Sequence, residues 1–240
     1  MSATEQARLC ALNNAEWCDS VCRAHGVPGS FDSAMWMQKR KGPPYYSNGI
    51  TLSPSEEAKQ RAAIDQLCSA LPEGLSIKDS FACLDLKQAG FRRLFDAEWL
   101  WLDRTAAATL PKGSGEWTRV ADAGELQRWE AAWALAGSPA DIRVFPPSLL
   151  LDENIAFLGA KRDGAFVAGF VANRSRGDVV GFSNFFATAE PGRHRPAAVA
   201  QALSFGGDRT VVGYQRGDEL AGLHALGFRT TGKLRVLVKD

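Results

Sequence analysis

The stretch Val179 to Leu203, VVGFSNFFATAEPGRHRPAAVAQAL, constrains the fold of this chain more than any other. An apolar strand is expected from Val179 to about Ala189. A Pro-Gly turn follows, carrying Arg193, His194 and Arg195. A small-residue helix is expected from Ala197 to about Phe205. A strand feeding a turn whose amides open a helix is a ready site for an anion. The first helical N–H groups lack intrahelical partners, and the helix dipole adds positive potential.

The 240 residues suffice for one large domain or two small ones. With a net charge of +1, bulk charge predicts neither nucleic acid nor membrane binding. No apolar run reaches the roughly 18 residues that a membrane span needs. The N-terminus, MSATEQARLCALNNAEW, lacks the basic start and apolar core of a secretory signal. Five cysteines fit no disulfide framework, so a reducing cytoplasm is the expected setting.

Residues 4–25 have helical periodicity, ended by Gly26 and Pro28. Cys18, Cys22 and His25 share one side of that helix, but no fourth ligand is evident; a buried face is expected and no metal. Ala34 to Gln38 is a short strand. The following Lys39-Arg40-Lys41 and Pro43 to Tyr46 form a loop, since two prolines forbid a helix. Basic residues beside tyrosines can bind nucleic acid. Three charges in a neutral chain instead indicate a solvated loop, with Tyr45 and Tyr46 walling a pocket.

Ser53-Pro54-Ser55-Glu56 has the pattern of a capping box, opening a helix that runs to about Leu71. Leu75 to Ala82 is a strand, Cys83 to Ala89 a short helix, and Phe91 to Leu102 an aromatic-rich strand. Thr105 to Gly115 is small, polar and linker-like. A strand is expected at Trp117 to Val120 and a helix at Ala123 to Leu135, while the prolines near Phe145 favour a loop. Asn154 to Gly159 and Ala165 to Asn173 form a hairpin closed by Asp163-Gly164. A third meander strand starts at Val179. Arg209 to Tyr214 is a strand, Asp218 to Leu226 a helix ended by Gly227, and Phe228 to Val238 the last strand. At a shift of 137, Gly90-Phe91-Arg92 repeats as Gly227-Phe228-Arg229, each between a short helix and a strand.

Residues 117–240 resemble a whole domain of the GNAT acetyltransferase superfamily. RDGAFVAGFVA matches its central hairpin, the Pro191 region its strand–turn–helix, and LHALGFRTTGKLRVLV its end. The expectation is an α/β (α+β) fold with a GNAT-like mixed central sheet flanked by helices. The complete C-terminal domain, 117–240, would follow a linker at 105–116 and a partial GNAT-like lobe at 1–104.

The resemblance implies transfer of an acetyl or other acyl group from acyl-CoA, its pantetheine lying between two splayed parallel strands, Val179–Ala189 and Arg209–Tyr214. Its phosphate motif falls on His194, Ala197 and Val199, with Arg193 and Arg195 adding charge, and Ala187 and Ala189 lining the strand end. Leu223 stands where many members carry a tyrosine that protonates the departing thiolate. Tyr214 is the substitute acid, and Ser183 and Asn184 face the amine. Tyr45, Tyr46 and Glu153 would shape the acceptor side. Acetyl-CoA is the expected co-substrate, without metal. The expected partner is a small-molecule amine, not a membrane or nucleic acid; a homodimer is compatible with the sequence. The alternative is a GNAT-like module that binds a ligand or a protein without catalysis, in keeping with Leu223 and Val199.

Overall fold

A computed structural model describes residues 1–103, 105, 110, 116–138 and 142–240. Two units emerge. The first comprises Met1–Leu100, Tyr214–Gly217 and Thr230–Asp240; the second comprises Trp101–Gly213 and Asp218–Arg229. Both mix helix and sheet.

The first unit opens with α1 (Ala3–Ala24), whose start is a complete capping box: Ser2 Oγ accepts from the Glu5 amide, and the Glu5 carboxylate accepts from the Ser2 amide. Then come β1 (Ser30–Phe31), β2 (Met35–Met37), β3 (Gly49–Thr51), α2 (Glu57–Ala70), β4 (Leu75–Asp79) and β5 (Arg92–Leu102). The last strand of the chain, β11 (Arg229–Lys239), also joins this unit, in the order β1-β2-β3-β4-β11-β5. It runs antiparallel to β4 from Arg235↔Asp79 to Lys239↔Leu75. The domain boundary read from sequence therefore shifts, because the C-terminal strand pairs with the N-terminal half. One face of β4 presents Leu75 and Ile77 to Ile64 and Leu67 of α2. Successive strand residues alternate in direction, so Lys78 goes to the other face, where it reaches Asn14 of α1.

The second unit holds β6 (Trp117–Arg119), α3 (Ala123–Leu135), β7 (Ile155–Arg162), β8 (Ala165–Arg174), β9 (Val179–Ala187), α4 (Pro191–Gly206), β10 (Thr210–Gln215, which passes into the first unit at Tyr214) and α5 (Glu219–His224). Its strand order is β10-β9-β8-β7-β6. β6 to β9 form an antiparallel meander, and β9 pairs parallel with β10. Asp163 and Gly164 take positive φ (52° and 79°), as a two-residue hairpin turn demands. The core centres on Trp129 of α3, fully buried against the edges of Phe157 and Phe186.

The repeated Gly-Phe step is a repeated structure. Gly90 and Gly227 have φ of 85° and 90°. In both, the phenylalanine amide donates back five residues, Phe91 to Leu86 and Phe228 to Leu223, at 3.2 Å. Each buries its ring, and a strand follows.

Among the elements that differ from the sequence reading are α2, the segment 83–89 and α4. α2 begins at Glu57 without a side-chain cap; Ser53 Oγ instead accepts from the Ser55 amide. Between Cys83 and Ala89 only Lys87–Ala89 is helical, as a 3-10 turn. α4 begins at Pro191, six residues before Ala197. The linker proposed at 105–116 lies mostly outside the described residues.

Candidate acyl-donor and acceptor sites

Two groups of residues, one in each unit, account for the candidates. In the second unit, β9 and β10 pair only from Thr210↔Val179 to Val212↔Gly181. Gly213 still approaches closely: a Cβ there would meet the Phe182 carbonyl at 2.7 Å. β9 itself continues to Ala187 against β8. Along that continuation, Val171 faces Ser183 and Gly169 faces Phe186. β9 thus spends one residue more than β8, the signature of a bulge. Asn184 marks it with φ 52°. A bulge disrupts the regular ladder and re-aims the strand's polar groups. Ser183 Oγ is buried without a hydrogen-bond partner.

α4 follows directly. Glu190 is left-handed (φ 48°) and Pro191 fills the first helical position. The Arg193 amide donates to the Glu190 carbonyl at 2.9 Å, which leaves the Gly192 amide to the helix opening. A Cβ at Gly192 would touch nothing within 4 Å. Pro196, inside the helix, forgoes only the bond to the Gly192 carbonyl at the helix start, so it does not end the helix. At the other end, Arg174 donates two hydrogen bonds to the Phe205 carbonyl (2.7 and 3.0 Å), matching cation to the negative helix end.

The basic residues of the turn divide. Arg193 is exposed beside Glu190, at 3.5 Å. Arg195 is buried, paired with Glu219 of α5 and laid over the Phe185 ring; its charge already has an anion. His194 is buried with Nδ1 unpartnered. Burial, then Arg162 and Arg193, hold its pKa below the usual 6.5. Ala197 is nearly buried and Val199 fully so, which turns the valine into the core. Ala187 is half-buried, while Ala189 and Glu153 are exposed.

His194 binds a proton less readily folded than unfolded, so stability is unaffected above about pH 6.5 and falls as pH drops below it toward the lowered folded value. His194→Gln is expected to flatten that part of a melting-temperature profile between pH 7.5 and 5. An unchanged acid slope in the variant would refute it.

In the first unit, Tyr46 and Tyr45 part company. Tyr45 is 59% exposed with φ 71°, whereas Tyr46 is only 9% exposed, its hydroxyl without a well-formed hydrogen bond. Burial pushes the Tyr46 phenol well above its usual range, helped by Cys18, Tyr214 and Cys22, with the Trp17 indole opposing least. Tyr214 packs edge-on to Trp99 (5.6 Å) under the Lys78 ammonium, 4.4 Å from its ring centre. Sequence reasoning missed Lys78, because nothing in LSIKD tells which face of β4 is covered.

Burial also raises Cys18 to about 11 and Cys22 to about 12, which keeps both as thiols. Among the described residues no group of three His, Cys, Asp or Glu is placed to hold a metal ion. Lys39 donates to Gln66 and Arg40 to the Gly26 carbonyl, so two of the three loop cations bond within the fold. No described helix is long and apolar enough to cross a membrane. A cavity of about 440 Å³ lies along α1 between Arg8, Leu12, Asp32 and Leu52, and none of the candidate residues lines it.

No family model and no curated protein matches the sequence. Solved structures do match the fold. A GCN5-related N-acetyltransferase from Kribbella flavida aligns over 100% of this chain and 96% of its own, with TM-score 0.65 and 15% identity. A functionally unknown conserved protein from Staphylococcus epidermidis aligns over 88% and 93%, with TM-score 0.62 and 15% identity. An acetyltransferase of the GNAT family from Colwellia psychrerythraea aligns over 87% and 82%, with TM-score 0.51 and 11% identity. The chain has the GNAT fold.

Proposed function

We propose that this chain transfers an acyl group, acetyl in the first instance, from acyl-CoA to a small amine. The observation that carries the reading is β9 leaving β10 after Gly181 and leading, through a bulge, to the opening of α4. A strand edge without a neighbour offers amides and carbonyls to an extended ligand, and the helix opening offers N–H groups and positive potential to its phosphates. The fit is supported by polar atoms left over there, Ser183 Oγ and His194 Nδ1.

In the reaction, the amine nitrogen attacks the thioester carbonyl carbon, the C–S bond breaks, the nitrogen loses a proton and the thiolate gains one. Gly192 would hold the pyrophosphate through its amide, with His194 Nδ1 adding a polar partner and Arg193 charge. Ala187 and Ala189 would flank the pantetheine. Ser183 and Asn184 are assigned to the incoming amine. Arg195 and Val199 are withdrawn from direct cofactor contact, since one is paired to Glu219 and the other buried.

A second reading, ligand binding without catalysis, draws on Arg195 being neutralised and on Leu223 being buried in the core. Calorimetric titration with acetyl-CoA, followed by a thiol-release screen of amines, separates the two. Micromolar binding with turnover is expected. Binding without turnover of any amine would favour the second reading, and no binding at millimolar acetyl-CoA would overturn both as stated.

A further inference from the structure

The first unit buries more hydrogen-bond donors than it can satisfy, around Lys78. Lys78 is 5% exposed on the α1 face of β4. Its ammonium donates to Asn14 Oδ1 at 2.6 Å and lies over the Tyr214 ring. No carboxylate pairs with it among the described residues. A buried ammonium ordinarily has a counter-ion, because desolvation costs far more than one neutral hydrogen bond returns. Asn14 also stands 4.0 Å from the Cys18 sulfur, a weak donor. Tyr46, whose phenol responds to Cys18 and Tyr214, brings a second group, a hydroxyl without an acceptor. Gln38, 2% exposed, brings a third group: its Oε1 accepts from the Arg40 amide while Nε2 has no partner. A Cβ on Gly42 would lie 2.7 Å from that Nε2 and 3.9 Å from the Cys22 sulfur, which ties Gln38 to the same helix face. The neighbouring thiols stay protonated, so none of them supplies the missing negative charge.

Tyr46 Oη and Gln38 Nε2 lack an acceptor, and Lys78 Nζ has the neutral Asn14 Oδ1 but no anion; a carboxylate is the group that supplies acceptors and charge together. We propose that this cluster is a carboxylate subsite, and that the amine acceptor is an amino-carboxylate, a free amino acid or a close analogue. The identification of the carboxylate with the acceptor rests on the acyl-transfer reading above; the subsite itself does not. Tyr214, which shares Lys78, would then sit beside the bound acceptor, with Asn14 positioning the ammonium.

The test compares amino acids with their own amides, glycine with glycinamide and phenylalanine with phenylalaninamide, which differ only at the carboxylate. Binding is measured calorimetrically on the full chain without acetyl-CoA, then turnover with it. The acids are expected to bind at least tenfold more tightly than the amides, about the worth of one charge-assisted hydrogen bond. Lys78→Met, close in volume, is expected to erase that preference while leaving acetyl-CoA affinity within twofold. Tyr46→Phe, which removes a hydroxyl and no packing, is expected to lower acid affinity severalfold and serves if Lys78→Met does not fold. Equal affinity for acid and amide, or an acid preference that survives in the foldable variants, overturns the subsite. Acid preference without acetyl-CoA binding would sustain the subsite and sink acyl transfer. Turnover of amides and acids alike would do the reverse.

Discussion

Gly192→Asp is expected to leave the fold intact and weaken acetyl-CoA binding by roughly ten- to a hundredfold. The site is open: a Cβ there meets nothing within 4 Å, and Gly192 is exposed. An aspartate in the first turn of a helix interacts favourably with the dipole, by about 0.3–1 kcal/mol, and replaces a poor helix former. The melting temperature should therefore hold or rise. The same carboxylate would face a pyrophosphate seated at the α4 opening. Two unit charges near 4 Å repel by about 4 kcal/mol at an effective dielectric of 20, and solvent exposure reduces this to roughly 1–3 kcal/mol. Stability and affinity thus move in opposite directions, which a merely damaged fold cannot reproduce. Gly192→Asn, isosteric and neutral, should bind nearly as the parent does. Unchanged affinity in Gly192→Asp would place the phosphates elsewhere. An equal loss in both variants would show that bulk, not charge, decides.

How far such a site is legible in sequence depends on how local its determinants are. The hairpin at Asp163-Gly164 was legible because the turn itself requires positive φ. The bounds of α3, Ala123–Leu135, were legible because Asp122 caps it, accepting from the Glu125 amide at 2.8 Å. The repeated Gly-Phe step carried its meaning within six residues. Ser53 looked like a cap, yet tertiary bonding overrode it: the buried Gln60 amide donates to the carbonyls of Ser53 and Ala34, fixing that loop otherwise. Arg195 looked like a phosphate ligand because its partner, Glu219, lies 24 residues on. Lys78 gave no signal, since only the placement of α1 makes its face of β4 an interior one. Charge pairing and burial are non-local, and it is there that the sequence reading of the candidate sites changed.

Trp129→Ala is expected to cost the fold about 3–5 kcal/mol, the range for emptying a buried large aromatic site. Trp129 is fully buried, meets Phe186 at 5.0 Å and Phe157 at 5.2 Å edge-on, and donates from Nε1 to the Leu158 carbonyl at 2.9 Å. Gly169 is bare because the indole and the Phe186 ring occupy the space a Cβ would need. Alanine removes the ring, leaves a cavity that Gly169 cannot fill, and strands one acceptor. Phe186 is the β9 residue that faces Gly169 beyond the bulge at Asn184, so the loss should reach the proposed site too. Trp129→Phe keeps most of the edge contacts and gives up the indole N–H, and should cost only about 1–2 kcal/mol. Urea denaturation of both variants gives the comparison, with acetyl-CoA affinity measured well below the transition. A cost under about 1 kcal/mol for alanine would mean the aromatic cluster does not anchor β9. A full cost with unaltered affinity would mean that the bulge holds its shape through the β8 ladder alone.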